Sequence, residues 1–111
     1  MRINNIVKKF AFATRVGHIP NNPFKVNQDA FILAPSILNL HSMHYFGVCD
    51  GHGQNGKDVS GLIKLKLPAL LEENLFNSNL DVKQSLYNIF ITCNKLLIDN
   101  KQFDVQLSGS T

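Results

Sequence analysis

An apolar run that ends on an acid among turn-forming glycines, Phe46-Gly-Val-Cys-Asp50-Gly-His-Gly53, divides this chain into two textures. Upstream, the apolar residues come in short β-prone runs, Asp29–Ala34 and Met43–Cys49. The turn-like segment Pro35–Ser42 between them fits a long hairpin connection. Earlier still, Ile6–Thr14 carries Val7, Phe10, Phe12 and Ala13 among basic residues and reads as a strand with one half-buried face. The stretch from Arg15 to Lys25 is broken by Gly17, Pro20, Asn21, Asn22 and Pro23, and reads as a loop. Downstream, Asp50–Gly56 reads as another loop. Val59, Leu62, Ile63, Leu67, Leu70 and Leu71 then recur at helical spacing to about Phe76. Pro68 falls inside that run and is expected to kink or split the helix, because it lacks an N–H and its ring crowds the preceding turn. A second helix opens on Asp81 as its N-cap, shows an apolar face of Val82, Leu86, Ile89, Phe90, Cys93, Leu96 and Leu97, and fades near Lys101. The final Leu107-Ser-Gly-Ser-Thr111 reads as the entrance to a further strand. The fold class is therefore α+β.

At 111 residues and 44% hydrophobic content, the chain suits one domain or part of one. Residues 1–111 are expected to be the N-terminal part of a single, incomplete domain, because the last strand is only beginning. Eleven basic against eight acidic residues leave +3, scattered along the chain, which excludes a nucleic-acid footprint. Cys49 and Cys93 lie in apolar stretches, where a free Cys behaves as a small hydrophobe, and two cysteines are no disulfide framework. No run approaches the roughly 20 apolar residues that cross a bilayer, and Met1–Gly17 lacks the apolar centre of a leader. The expectation is an intracellular, cytoplasmic protein without membrane insertion.

The chemistry concentrates at Asp50. An apolar strand delivers its carboxylate at the strand end, and glycines on either side of His52 allow a tight turn and close approach to a ligand. The Asp50 carboxylate and the Gly51 carbonyl are hard oxygen donors suited to a divalent cation. The plainer reading of Asp-Gly is an Asx-type turn that opens a helix. Asn27-Gln28-Asp29 also abuts an apolar strand, so two adjacent antiparallel strands would bring Asp29 and Asp50 to one sheet edge. Two other readings fail. Gly51–Lys57 matches the spacing of a phosphate-binding loop, but Asp58 stands where the Mg²⁺-binding hydroxyl belongs. His41, His44, Cys49 and His52 are zinc-type ligands, but their spacing is not that of a finger, and His44 and Cys49 are five positions apart in a strand, so they face opposite sides.

Taken together, Thr14-Arg-Val-Gly17, Pro20-Asn-Asn-Pro23, Lys25-Val-Asn-Gln-Asp29-Ala-Phe31, Phe46–Gly53 and Ser108-Gly-Ser-Thr111 resemble, in order and spacing, the N-terminal half of the metal-dependent protein serine/threonine phosphatases of the type 2C (PPM) family. The resemblance implies an α-β-β-α sandwich of two antiparallel sheets, of which only the N-terminal half is present. It implies hydrolysis of phosphoserine and phosphothreonine in phosphoprotein substrates, with two Mg²⁺ or Mn²⁺ ions that activate water and neutralise phosphoryl charge. It maps Asp50 onto the aspartate that bridges both ions and Gly51 onto a carbonyl ligand. Asp29 falls on the second acid of the upstream motif, a catalytic and metal-site position close to the metal waters, and Gln28 stands where many members have Glu, where its side-chain carbonyl oxygen can still serve as a metal ligand. His52 maps onto the proposed general acid, for which an ordinary imidazole is well poised. The phosphate-gripping arginine has no match at its usual place, which leaves Lys25 and Arg15 as alternatives. The family's downstream metal-binding aspartates have no counterpart, so this chain alone is expected to bind metal weakly and to give background hydrolysis only. The alternative is a truncated, inactive phosphatase-like module serving as a structural or binding subunit, within a cytoskeletal or other large assembly. Either way, other protein chains are expected to cover its exposed faces.

Overall fold

The computed structural model describes residues 7–111. In chain order the elements are β1 (Ala30–Ala34), β2 (Tyr45–Cys49), β3 (Gly51–Gly53), α1 (Gly56–Asn77), α2 (Val82–Asp99) and β4 (Ser108–Ser110). They form two two-stranded antiparallel sheets, β1–β2 and β3–β4, and a helical hairpin, which is an α+β arrangement. The β1–β2 hairpin turns through Ile37–Leu40, where Leu38 and Asn39 both have positive φ (52° and 59°), as the tight turn of a twisted hairpin requires. Asn at one of these positions tolerates the left-handed region, and the Leu38 N–H is held by the Glu72 carboxylate of α1 at 2.9 Å.

Only Asp50 separates β2 from β3, so residues 45–53 form one line of backbone. β1 lies along one edge, with Ala30 opposite Cys49 and Ala34 opposite Tyr45. The Gln28–Asp29 lead-in continues past Asp50 and Gly51 on that same side. β4 therefore takes the opposite edge, with Gly51 opposite Ser110 and Gly53 opposite Ser108. Asp50 and Thr111 extend that ladder by exchanging two backbone hydrogen bonds of 2.8 and 3.0 Å.

The core lies between the inner face of the β1–β2 hairpin and the helices: Ile32, Ile37, Cys49, Leu67, Leu71, Leu75, Ile89 and Cys93 are buried together. On α1, Val59, Leu67, Leu71 and Leu75 occupy one four-residue-spaced row; on α2, Ser85, Ile89 and Cys93 do the same. Rows of that spacing interlock between packed helices. The Ser85 hydroxyl, in the α2 row, bonds the Ser78 hydroxyl of the turn at 3.0 Å. Asp81 caps α2 by accepting from the Gln84 N–H at 3.0 Å.

Several expectations change. Ile6 lies outside the described residues, and residues 7–14 form no strand. Phe10 and Phe12 instead pack at a tilt against Phe46 and Phe31, on the hairpin's outer face, so the alternating pattern reports ring packing without a ladder. Residues 51–53, read as loop from their glycines, form β3, because β4 supplies the partner that local composition does not reveal. α1 runs unbroken across Pro68 for 22 residues. An interior proline costs about 3 kcal/mol, and Leu67, Leu71 and Leu75 on either side bury enough, at roughly 1.5–3 kcal/mol each, to offset it. Finally, the apolar face of α2 is wider than what it buries: Val82, Phe90 and Leu96 are exposed.

Candidate metal and phosphate site

The register of β1 and β2 builds the site. Ala30 faces Cys49, so the next residues outward, Asp29 and Asp50, stand side by side at the hairpin's open end. Both are exposed, and their hydrogen bonds are made through the backbone, which leaves the carboxylates available. With Arg15, Gly17, Lys25, Val26, Asn27, Gln28 and Gly51 they line one polar cleft of about 250 Å³. Two carboxylates and two cationic side chains thus share a small volume.

The surrounding residues hold this rim in place. Asn27 accepts from the Asp29 N–H at 3.0 Å, an Asx turn that swings the chain into β1, and donates to the Thr14 hydroxyl at 2.8 Å. Gln28 donates through Nε2 to the Gly53 carbonyl at 2.8 Å, and its own backbone carbonyl accepts from the buried Ser60 hydroxyl of α1. The Gln28 side chain therefore clasps the 51–53 segment. Asn55, which precedes α1, does not cap the helix with its side chain. Its N–H donates to the Ser108 hydroxyl at 2.8 Å and its Nδ2 to the Asp104 carbonyl at 2.7 Å, tying β4 to the turn after β3.

Gly51 is buried at the centre of these contacts. Because Asp50 and Thr111 form a hydrogen-bonded pair, Gly51 and Ser110 fall at a non-bonded position of the ladder. The Gly51 N–H and C=O consequently point away from β4, toward the Gln28 side. A side chain at Gly51 would collide with the backbone carbonyl oxygens of Gln28 and Gly56, so only glycine fits there.

The structure brings Asp29, Asp50, Gly51, Gln28, Arg15 and Lys25 into one cleft. It does not bring His52 there. His52 is exposed on β3 and its ring lies over Gly109, where an added Cβ would sit 2.8 Å from Nε2. Alternation along β3 separates it from the Gly51 side of the strand. Sequence reasoning assigned no task to Asn27 and Ser60; the Asx position two residues before Asp29 was the available signal for Asn27. Among the described residues no three His, Cys, Asp or Glu side chains gather closely enough to hold a metal ion. The cleft offers the Asp29 and Asp50 carboxylates and the Gly51 carbonyl, while the Gln28 amide oxygen, named as a ligand from the sequence, lies beside Gly56. His44 instead bonds the Pro35 carbonyl through Nδ1 at 2.7 Å and lies against Phe46.

Over 102 residues the chain is 28% identical to "Probable protein phosphatase 2C 35" of Arabidopsis thaliana, a likeness with which this α+β arrangement is compatible. The match covers 92% of this chain but 29% of that protein, so the chain spans less than a third of this relative's length. No protein-family model and no solved structure matches the chain. Among the described residues no helix is long and apolar enough to cross a membrane.

Proposed function

We propose that this chain is the N-terminal half of a type 2C α-β-β-α sandwich and supplies the upstream rim of a Mg²⁺- or Mn²⁺-dependent protein serine/threonine phosphatase site. The observation that carries the reading is the convergence of Asp29, Asp50 and Gly51 with Arg15 and Lys25 in one cleft. The donor set suits a hard divalent cation: two free carboxylates and a backbone carbonyl outside the sheet ladder, with no soft ligand among them. Asp50, whose two oxygens can each serve one cation, would take the bridging place. Asp29 and the Gly51 carbonyl would complete what this chain offers, with Gln28 holding the segment that carries them. When bound, such ions lower the pKa of water and offset charge on a phosphoryl group. Arg15 and Lys25 would grip the phosphate. Arg15 offers a planar fork matched to two oxygens, whereas Lys25 acts as a point charge. A general-acid role for His52 would require its ring to leave Gly109.

Three protein donors fall short of the roughly six ligands that Mg²⁺ takes, so the metal affinity of the chain by itself is expected to be weak and its turnover slight. The test is therefore a binding map rather than an activity. Titration of the ¹⁵N-labelled chain with Mn²⁺ should broaden the amides of Asp29, Asp50 and Gly51 first, and Asp50→Asn should abolish that pattern. Broadening that starts elsewhere, or that persists in Asp50→Asn, would overturn the reading.

A further inference from the structure

The turn end of the β1–β2 hairpin, away from Asp29 and Asp50, carries a second polar site. Ala34 pairs with Tyr45 there, and at about 3.3 Å per residue this end stands roughly 17–20 Å from the paired acids. The loop that closes the hairpin is held from inside. Ile37 is buried and its N–H bonds the Met43 carbonyl at 3.0 Å, while the Leu40 and Met43 N–H groups bond the Ile37 and Leu40 carbonyls at 2.9 and 3.1 Å. His41 and His44 therefore stand on fixed backbone. The His44 ring lies nearly parallel to Phe46 with centroids 6.0 Å apart, and Phe10 packs at a tilt against the same Phe46 at 5.1 Å. Those ring contacts bring Lys8 and Lys9 from a distant part of the chain to the histidines. The result is a pocket of about 460 Å³ in which Lys8, Lys9, His41 and His44 stand beside Phe10 and Pro35. No Asp or Glu lines it, and Glu72, the acid that bonds this loop, is engaged by the Leu38 N–H. Every wall comes from residues 7–10 and 35–44, so the pocket does not depend on the strand edge beside Thr111.

His44 adds an independent observation. Its Nδ1 lies 2.7 Å from the Pro35 carbonyl, and a carbonyl only accepts, so Nδ1 carries the hydrogen. Its Nε2 is buried and has no hydrogen-bond partner among the described residues. A buried polar atom in that state is uncommon in a folded protein and marks a place where a bound group can complete the hydrogen bonding. The two lysines beside it repel a metal cation and attract an anion, to which a protonated Nε2 donates.

We infer that the turn end of the hairpin binds an organic phosphomonoester. Its phosphoryl group accepts from Lys8, Lys9, His41 and the Nε2 of His44, and its apolar part lies against Phe10 and Pro35. A phosphoryl dianion brings three strong acceptor oxygens, which suits four clustered donors, whereas a carboxylate would leave most of them unpaired. The site uses no metal and no residue of the Asp29–Asp50 cleft, so it stands or falls apart from the phosphatase reading.

The test titrates the full ¹⁵N-labelled chain with phenyl phosphate in EDTA, which suppresses metal-dependent turnover. The amides of Lys9, His41 and His44 should shift on one saturable curve. Inorganic phosphate should bind the same residues at least fivefold more weakly for want of the apolar contact, and phenol should leave them unmoved. The double substitution Lys8→Gln and Lys9→Gln, at two exposed positions, should weaken binding of phenyl phosphate at least tenfold without lowering the melting temperature. A short peptide bearing one phosphotyrosine separates the sources of the ester: binding at the same residues assigns it to a polypeptide, and binding of phenyl phosphate alone assigns it to a small molecule, both in support. Shifts confined to Arg15, Lys25 and Asp50 would overturn the inference. So would equal affinity for inorganic phosphate and phenyl phosphate, which is an adventitious ion only, or a double variant that binds as the parent does.

Discussion

Replacement of Gly51 by alanine probes the packing that holds the cleft together. The new methyl would press on the carbonyl oxygens of Gln28 and Gly56, with the Gly56 carbonyl carbon 2.9 Å away. These are backbone atoms of two separate segments, the lead-in to β1 and the start of α1. No rotamer change relieves the contact, so one segment must move. The φ of Gly51 is not in the left-handed region, which makes the cost purely steric. Overpacking costs typically 1–3 kcal/mol, and walls on two sides place this case near about 3 kcal/mol. For a chain of this size each kcal/mol lowers Tm by about 4–8 °C, so Gly51→Ala should melt roughly 12–24 °C below the parent. Gly61 supplies the control. It lies inside α1, and a Cβ there meets nothing within 4 Å. Gly61→Ala should stabilise by roughly 0.5–1 kcal/mol through helix propensity. Urea and thermal unfolding followed by circular dichroism read both. A Gly51→Ala protein within about 0.5 kcal/mol of the parent, or one more stable than Gly61→Ala, would refute the packing argument.

Two further outcomes follow from the same structure. Gln28→Glu replaces the donor to the Gly53 carbonyl with an acceptor, and should lose about 1–3 kcal/mol at pH 7, with partial recovery at pH 4 as the carboxyl regains a proton; equal losses at both pH values would count against the clasp. Burial pushes the Cys49 and Cys93 thiols above their ordinary value, with Lys64 and Lys66 respectively opposing the rise. A raised native pKa means that the stability is intact below the unfolded thiol value. It declines as pH climbs from there toward the native value, by at most about 1.4 kcal/mol per pH unit for each thiol. Urea midpoints measured from pH 7 to 10 should fall accordingly, and a flat profile would contradict the burial of these thiols.

The β1–β2 hairpin, both helices, the Asp81 cap and the pairing of Asp29 with Asp50 were legible in the residues. Each follows from information carried within a few positions: period-two or helical spacing, a capping side chain, an acid at the end of an apolar run. Antiparallel neighbours then bring strand ends together without further instruction, so the heart of the candidate site follows from local patterns alone. Conformations that depend on a partner distant in the chain were not legible. Gly51–Gly53 resembles a loop until Ser108–Ser110 arrives from more than fifty residues away to make it a strand.

The same division governs the rest of the molecule. By itself the sequence determined the β1 and β2 strands, the two helices and which side chains stand at the hairpin mouth, because backbone propensity and hydrophobic period act over single turns and pleats. Only the tertiary structure decided that α1 continues through Pro68 and that Phe10 and Phe12 pack as rings outside any ladder. It alone turned His52 toward Gly109 and set Gln28 to hold Gly53. Those outcomes rest on contacts between remote segments, where burial and hydrogen bonding outweigh local preference by amounts that no short window of residues contains.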